Sequence, residues 1–494
     1  MNGATSLRAF ALLMTACLMT ILPSRFSNER SKHFLVNASS YRQLTRRDVL
    51  RKASAGFPLL TFAALLAQES TASANPLASK QTHHPPRARS VIFLFMGGGP
   101  SQVDLFDPKP TLVKHANKQI PIKLPRITRD STPNCRPSPY KFRRHGESGI
   151  VISELLPHLS RCADDLCVIR SMNCDQIEHS GAIRQLTTGD GVLPRPSLGS
   201  WLLYGLGSAA DNLPGFVSIG TQNDLPGKVP YSSSFLPAAY EGVAIADVDN
   251  PIDNLEMPVT RPVQAQRLAA IRHFSELHRQ GREDDSRLDA RIAAFELAFR
   301  MQTQAPEAFD LSRESPATHK MYGTDQKTTR DYAQQCLLAR RLVERGVRYV
   351  VANVSGKWDS HANVRDHEKV AASCDQPVAA LLSDLKQRGL LDETLVVWGG
   401  EFGRTPTAQG AGRDHHPHAF TMWLAGGGVK PGTTYGATDE FGFYVTRNQV
   451  HIHDLHATIL HLVGLDHERL TYRYSGRDFR LTDVHGQVVK ELLV

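Results

Sequence analysis

The chain has 494 residues, of which 41% are hydrophobic and 21% charged, and its mean hydropathy is −0.30. This is the composition of a soluble globular protein, and it excludes a disordered chain, a collagen and a multispanning membrane protein. A formal charge of +8 raises the question of a nucleic-acid partner. However, residues 1–74 hold nine basic and three acidic residues, whereas the other 420 hold 48 and 46. Because the excess charge belongs to this N-terminal segment, we expect no nucleic-acid binding.

Residues 44–74 contain the three parts of an export signal. These parts are the pair Arg46-Arg47, an apolar stretch at 53–67 and the small-residue site Ala72-Ser73-Ala74. The segment resembles a bacterial twin-arginine signal, which the twin-arginine export machinery reads. Its apolar stretch is shorter than the roughly 20 residues of a membrane span. A second apolar run at 9–23 means either that the true start lies downstream of residue 1 or that an N-terminal anchor is retained.

These features predict three parts of the chain: a leader at 1–74, a flexible spacer at 75–90 and a single domain at 91–494. The mature chain is expected to have no membrane span. We expect it to be exported across the inner membrane, to the periplasm or the cell surface.

After the spacer, short apolar runs alternate with longer helical patterns. The runs at 90–95, 347–354, 394–398 and 420–425 predict buried strands. The helical patterns predict helices at 262–279, 286–302, 328–345, 376–387 and 453–463. Asp375 is predicted to cap the fourth helix, with Pro377 in its first turn. The alternation predicts a three-layer α/β/α sandwich with a mostly parallel central sheet.

Polar side chains follow the predicted strands, and open α/β sheets bind ligands at the carboxyl ends of their strands. Carboxylates and imidazoles at this edge predict a divalent metal ion, whether zinc, calcium, manganese or magnesium. The alternative for any single histidine is a surface or capping role. The candidate metal ligands are Asp104, Asp107, Asp359, His361, Glu401, His415 and His416.

A second candidate site is the segment 178–189, where small residues follow Ser180. A helix that begins here presents free N–H groups to an anion. Ser180 is then either a nucleophile activated by a metal ion or an ordinary helix-capping serine. The glycines at 97–99 lack the Gly-Lys-Ser/Thr ending of a phosphate-binding loop, so a nucleotide site is not expected.

Several sequence blocks together resemble an exported bacterial family, domain-of-unknown-function family 1501, which is grouped with sulfatases and alkaline phosphatases. The resemblance covers nearly everything after residue 90 and implies an alkaline-phosphatase/sulfatase-like fold. The blocks lie at 98–110, 168–172, 195–201, 212–216, 358–361, 400–406, 412–417 and 454–458.

The wider superfamily uses two metal ions and a Ser, Thr or formylglycine nucleophile to cleave phosphate or sulfate esters. The resemblance implies that Asp359 and His361 bind one ion, with His416 or His415 as its third ligand. It also implies that Ser180 is the nucleophile.

The chain departs from the superfamily at the second ion. Glu401 stands where the superfamily has an Asp-His pair, and Phe402 replaces the histidine. The first strand lacks a terminal aspartate, so Asp104 or Asp107 would have to substitute from the loop. Formylglycine is not expected, because Pro139 stands where the sulfatase signature requires arginine.

We therefore expect an exported metal-dependent hydrolase of phosphate or sulfate esters, acting on a small molecule or a polysaccharide. The predicted catalytic residues are Ser180, its neighbour His179 and Arg404, whose charge would balance that of the transition state. The alternative is a non-catalytic member of the fold that binds an anionic polysaccharide or a surface partner.

Overall fold

A nine-stranded sheet forms the centre of the fold. In the computed structural model, the described residues are 76–125, 131–210, 212–220, 228–251, 260–279, 297, 306–354 and 356–494. The predicted leader lies outside them, as does the helix predicted at 286–302 except for Leu297.

The strands and helices of the described residues are as follows. The strands are β1 (Ser90–Phe95), β2 (Ser131–Cys135), β3 (Phe142–His145), β4 (Ile150–Ser153), β5 (Leu166–Asn173), β6 (Phe216–Ile219), β7 (Val243–Ile245), β8 (Tyr349–Asn353), β9 (Thr394–Gly399), β10 (Gly403–Arg404), β11 (Thr407–Gln409), β12 (His415–His416), β13 (Phe420–Ala425), β14 (Thr433–Tyr435), β15 (Ala437–Thr438), β16 (Val445–Arg447), β17 (Val450–His451), β18 (Tyr472–Tyr474) and β19 (Arg477–Phe479). The α-helices are α1 (Gln102–Leu105), α2 (Pro110–Lys114), α3 (His179–Thr188), α4 (Leu198–Leu206), α5 (Arg261–Arg279), α6 (Pro316–Tyr322), α7 (Arg330–Glu344), α8 (Asp366–Gln387) and α9 (Ile452–Leu462).

The strand order brings four strand ends and one strand start to the same edge of the sheet. The order is β14-β5-β13-β9-β1-β8-β6-β7, and β17 also pairs with β5. All pairs in this sheet are parallel except those of β13, which runs antiparallel to β5 and β9. The segment that enters β13 therefore lies at the edge where β1, β5, β8 and β9 end. The prediction of a mostly parallel sheet is confirmed.

Both faces of the sheet are covered by helices, because successive side chains of a strand point to opposite faces. On β1, Ile92 and Leu94 belong to a buried cluster that includes residues of α7 and α8. Its neighbours Val91 and Phe93 belong to a second cluster that includes residues of α3, α4 and α9. The predicted three-layer α/β/α sandwich is confirmed.

Helix α8 differs from its prediction at the N-terminal end. It begins at Asp366, so Asp375 and Pro377 lie inside the helix, and the predicted cap at Asp375 is wrong. Val370 and Cys374 are buried, so the apolar stripe continues upstream of the proline. The Asp375 carboxylate instead accepts hydrogen bonds from the main-chain N–H groups of residues 158 and 159, at 2.7 and 2.8 Å.

Residues 76–90, expected as a spacer, are hydrogen-bonded to the C-terminal ends of two helices. The Lys80 N–H donates to the carbonyl of Leu206 in α4 at 2.9 Å. The Ala88 N–H donates to the carbonyl of Leu462 in α9, also at 2.9 Å. Among the described residues, no helix combines the length and the apolar character needed to cross a membrane.

A buried ion pair connects α1, the short helix that follows β1, to the loop before β12. Arg413 donates from Nε and Nη2 to the two carboxylate oxygens of Asp104, at 2.7 and 3.0 Å, and both side chains are fully buried. Ser101 donates a further hydrogen bond to Asp104 at 2.5 Å. These contacts outweigh the effect of burial and hold the pKa of Asp104 below its usual value, so the carboxylate stays ionised.

Replacing Asp104 by Asn should lower the free energy of unfolding by about 3–5 kcal/mol, because the Arg413 charge would remain buried without its partner. Denaturant unfolding measures this loss. Glu368→Gln is the matched control, since Glu368 and Arg365 form an exposed pair and its loss should cost at most about 1 kcal/mol. Equal effects of the two substitutions would contradict a structural role for the buried pair.

Candidate metal centre

Four side chains converge at the carboxyl edge of the sheet: His179, Asp359, His361 and His415. Each offers one ligand atom, and these four atoms all lie within 4.8 Å of one another. His179 begins α3, Asp359 and His361 lie in the loop after β8, and His415 lies in β12. Three chain segments that are distant in sequence therefore build one site.

Glycine allows the loop after β1 to approach the loop after β8 closely. Gly98 has a φ of +102°, and a Cβ atom there would lie 2.7 Å from the main-chain nitrogens of Trp358 and Asp359. Any larger residue would push the loop that carries Asp359 away from β1.

The short β10–β12 ladder decides which of two adjacent histidines faces the cluster. Arg404 pairs with His415 and Gly403 with His416, and neighbouring strand residues point to opposite sides. His416 points away, and its Nε2 lies 2.8 Å from the carbonyl oxygen of Phe443. Burial lowers the pKa of His416 to about 3. Of the two histidines that the sequence left open, the structure brings His415 to the cluster.

All three imidazoles of the cluster are held through Nδ1 by an oxygen atom. His179 Nδ1 lies 2.6 Å from Glu401 Oε1, and His415 Nδ1 lies 2.7 Å from the carbonyl oxygen of Ile177. His361 Nδ1 contacts Gln409 Oε1. A carboxylate, a carbonyl and an amide oxygen can only accept, so each Nδ1 carries the hydrogen. In the neutral form of each ring, Nε2 then carries the lone pair, as in histidines that bind metal ions.

The three Nε2 atoms face the Asp359 carboxylate. His361 Nε2, His179 Nε2 and His415 Nε2 lie 2.8, 3.4 and 3.7 Å from its oxygens. The Nε2 atoms of His361 and His415 face each other at 3.0 Å. Two facing lone pairs repel unless a cation or a proton lies between them. Three imidazole nitrogens and a carboxylate are a donor set that fits zinc and related divalent ions.

The Asp359 carboxylate is the anionic member of the cluster. Its Oδ1 lies 2.8 Å from His361 Nε2 and 2.5 Å from Arg404 Nη2, and its Oδ2 lies 3.4 Å from His179 Nε2. Burial raises the pKa of Asp359, but hydrogen bonds from the histidines and the charge of Arg404 outweigh it and hold that pKa well below its usual range. Burial lowers the pKa of His179, but its bonds to Asp359 and Glu401 outweigh this and raise that pKa to about 9. An ion that binds must therefore displace a proton from His179 near neutral pH.

Arg404 is fully buried beside the cluster, and its donors are met by the protein. Nε donates to the Gly99 carbonyl at 3.1 Å, Nη1 to the Arg413 carbonyl at 3.2 Å, and Nη2 to the Gly98 carbonyl and to Asp359. The guanidinium thus links Asp359 to the loop after β1 and to the loop before β12.

The other residues predicted from sequence lie outside the group of four. Glu401 is fully buried and accepts hydrogen bonds from His179 and from the Gly98 N–H at 3.0 Å, so it orients a ligand. Asp104 is paired with Arg413, as described above. Asp107 accepts from Thr438 at 2.5 Å and lies 3.1 Å from Lys109 Nζ. Ser180 is exposed at the second position of α3, directly after His179.

A second group, Asp175, His451 and His453, also brings possible ligand atoms within 4.8 Å of one another. Here the His451 Nδ1 accepts the main-chain N–H of His453 at 3.2 Å and caps α9. The proton of the neutral ring therefore lies on Nε2, which is 3.3 Å from Asp175 Oδ2. Because this Nε2 has no lone pair to offer, the group is a helix cap with an acidic partner.

The chain matches the family described as "Protein of unknown function (DUF1501)" over residues 88–493. The chain belongs to this family. The resemblance noted from the sequence blocks is therefore confirmed. No curated protein sequence matches the chain.

Solved structures similar to this DUF1501 chain include a sulfatase, a lipoteichoic acid synthase and an alkaline phosphatase mutant. The PsFucS1 sulfatase from Pseudoalteromonas sp. is 12% identical, with 83% of this chain and 72% of that chain covered and a TM-score of 0.34. The lipoteichoic acid synthase LtaP from Listeria monocytogenes is 10% identical, with 84% and 80% covered and a TM-score of 0.34. A mutant of the TAB5 alkaline phosphatase is 10% identical, with 78% and 100% covered and a TM-score of 0.34.

Three features of the centre in this DUF1501 chain have little or no signal in the sequence motifs. Gln409 orients His361, and the Ile177 carbonyl orients His415. Phe402 forms an apolar support, with its ring centre 4.6 Å from that of His415 and 4.9 Å from that of His179. Of the three, only Phe402 is marked in the sequence, by its position directly after Glu401.

Replacing His179 by Ala should remove most of the bound ion, because it removes one of four ligands. Metal content of the purified variant by mass spectrometry measures this. His416→Ala is the matched control and should keep the ion of the unaltered protein, since that ring points away. Retention of the ion by His179→Ala, or its loss from His416→Ala, would refute the assignment.

Replacing Gln409 by Leu should weaken metal binding by roughly 10- to 100-fold, because the His361 ring loses the acceptor that fixes its proton on Nδ1. Competition with a chromophoric chelator measures the change in dissociation constant. Gln326→Leu provides a control at an exposed glutamine whose side chain bonds Gln376, and we expect no change there. An unaltered affinity in Gln409→Leu would contradict the orienting role.

Proposed function

We propose that this chain is an exported metal-dependent hydrolase of phosphate or sulfate esters. The observation that carries the proposal is the convergence of three imidazole Nε2 atoms on one carboxylate, with every Nδ1 held by an oxygen. This arrangement presents four ligand atoms, and an ion that expands its coordination beyond four would still accept water or substrate.

The donor set narrows the choice of ion. Calcium and magnesium prefer sites built from oxygen ligands, whereas imidazole suits zinc and other transition metals. Zinc therefore fits His179, His361, His415 and Asp359 better than the other three candidate ions. When bound, such an ion polarises an ester oxygen and lowers the pKa of a coordinated water or hydroxyl.

Helix α3 supplies the remaining groups of the proposed mechanism. Its first turn carries the ligand His179, and the residue before the helix, Glu178, makes no side-chain capping bond to it. Free N–H groups at a helix start attract anions, so this turn is placed to hold the charged oxygens of an ester. Ser180 is exposed there and reachable by substrate, which supports its role as the nucleophile.

Two charged side chains beside the cluster, Arg404 and Glu401, act on the proposed ligands Asp359 and His179. Arg404 keeps Asp359 ionised, so that the carboxylate remains a ligand. Glu401 accepts the His179 Nδ1 hydrogen and thereby directs its Nε2 lone pair to the centre. Both side chains act through a ligand, so we assign them positioning roles.

The proposed setting is outside the cytoplasm. The arginine pair, apolar stretch and small-residue site at 44–74 support export by the twin-arginine machinery. We propose a small-molecule or polysaccharide ester as the substrate and the periplasm or cell surface as the location.

Aryl phosphates and aryl sulfates test the activity directly. The metal-loaded protein should turn over at least one of them, lose turnover with a chelator and regain it with zinc. Ser180→Ala should lower kcat by about 10³-fold or more if the serine is the nucleophile. Ser79→Ala serves as the matched control and should leave kcat unchanged, because Ser79 is an exposed serine beside the C-terminal end of α4.

Two results would count against the hydrolase. Turnover that survives both chelation and His179→Ala would remove the metal centre from the reaction. A metal-loaded protein without turnover that binds a sulfated polysaccharide would instead identify a non-catalytic binding protein.

A further inference from the structure

The surroundings of Arg404 suggest how many ions the centre holds. The geometry of this chain points to a single ion. We propose that the Arg404 guanidinium permanently fills the place of a second cation, so that the centre binds a single divalent ion. The inference rests on the metal centre of the proposed function but is independent of which ester is cleaved.

Arg404 occupies a cradle of four oxygen atoms. Its N–H groups point to three main-chain carbonyls and one carboxylate oxygen, and Nη1 also lies 3.3 Å from His361 Nε2. These acceptors are Gly98 O, Gly99 O, Arg413 O and Asp359 Oδ1. Carbonyl and carboxylate oxygens are the ligands that a hard cation such as calcium prefers. The guanidinium thus takes a position that oxygen chemistry would otherwise offer to a metal ion.

The guanidinium is fixed in this cradle. The side chain is fully buried, and arginine stays protonated at any physiological pH. Its main chain is also held, because the Arg404 N–H donates to Gln102 Oε1 at 3.0 Å while Gln102 Nε2 donates to the Arg404 carbonyl at 2.9 Å. Vacating the cradle would break these bonds and leave several buried carbonyls without donors.

The balance of charge also fits one ion. Asp359, Glu401 and Asp414 surround Arg404, and all three carboxylates stabilise its positive charge. Their three negative charges are matched by one divalent ion and one guanidinium. Asp104 and Arg413 neutralise each other. A second divalent ion would therefore add two uncompensated positive charges to a largely buried site.

The remaining acidic side chains near the centre already have partners. Asp104 has Arg413 and Ser101, Asp107 has Thr438 and Lys109, and Glu401 has His179 and the Gly98 N–H. Among the described residues, a second ion would have to break one of these sets of bonds to gain a ligand.

Titration of the purified, metal-stripped protein tests the inference. With zinc, we expect one ion per chain by calorimetry and by metal analysis after gel filtration. With zinc in place, we expect no calcium uptake up to about 1 mM, the weak end of calcium sites in proteins. Uptake of two ions with comparable affinity would overturn the inference.

Substitution of Arg404 adds a gain-of-binding test. Arg404→Ala empties the four-oxygen cradle and should bind one calcium ion in addition to zinc, whereas Arg404→Lys keeps the charge and should still bind zinc alone. A folded Arg404→Ala protein, verified by circular dichroism, that takes up no calcium would overturn the role of Arg404. If that variant does not fold, the titration of the unaltered protein decides.

The outcomes separate this inference from the proposed function. One bound zinc without turnover of any ester would refute the hydrolase and leave the single-ion centre standing. Two bound ions with turnover would refute the single-ion centre and leave the hydrolase standing.

Discussion

The Asp359 carboxylate and the groups gathered around it hold several loops together at the carboxyl edge of the sheet. A carboxylate that is partly removed from water is costly unless donors surround it. Here the donors come from separate segments. Arg404 lies after β9, His361 lies on the loop that carries Asp359 itself, and His179 lies at the start of α3. Arg404 in turn binds carbonyls of the loops after β1 and before β12. One anion thereby fixes the relative positions of several loops at the carboxyl edge of the sheet.

The proton positions of the histidines distinguish the candidate metal centre from a structural cluster. In the first group each Nδ1 faces an oxygen that can only accept, so in the neutral rings each Nε2 directs its lone pair to the centre. In the second group His451 Nδ1 faces a main-chain N–H, which leaves the proton on Nε2. Both groups have ligand-type side chains within 4.8 Å of one another. Proximity of ligand-type atoms therefore does not identify a metal site. The hydrogen-bond partner of each Nδ1 distinguishes the two groups.

The sequence predicted the sheet well, because its central strands are continuous apolar runs, and it placed Asp359, His361 and His415 at the correct edge. The choice between His415 and His416 depends on the register of a two-residue ladder, which no periodicity reveals. Gln409 was not predicted, because its role depends on a tertiary contact with His361. The cap predicted at Asp375 failed because an early proline also fits inside a longer helix when neighbouring residues supply the packing.

The ligands are oriented by bonds that exist without the ion. Glu401, Gln409 and the Ile177 carbonyl hold the three rings, and Phe402 packs against two of them. In small metal-dependent domains much of the binding free energy is used to fold the chain. Here the sandwich has its own buried clusters on both faces of the sheet, so we expect the fold to form without the ion. Most of the binding free energy is then available for affinity, and loss of the ion should leave the scaffold intact while it abolishes the centre.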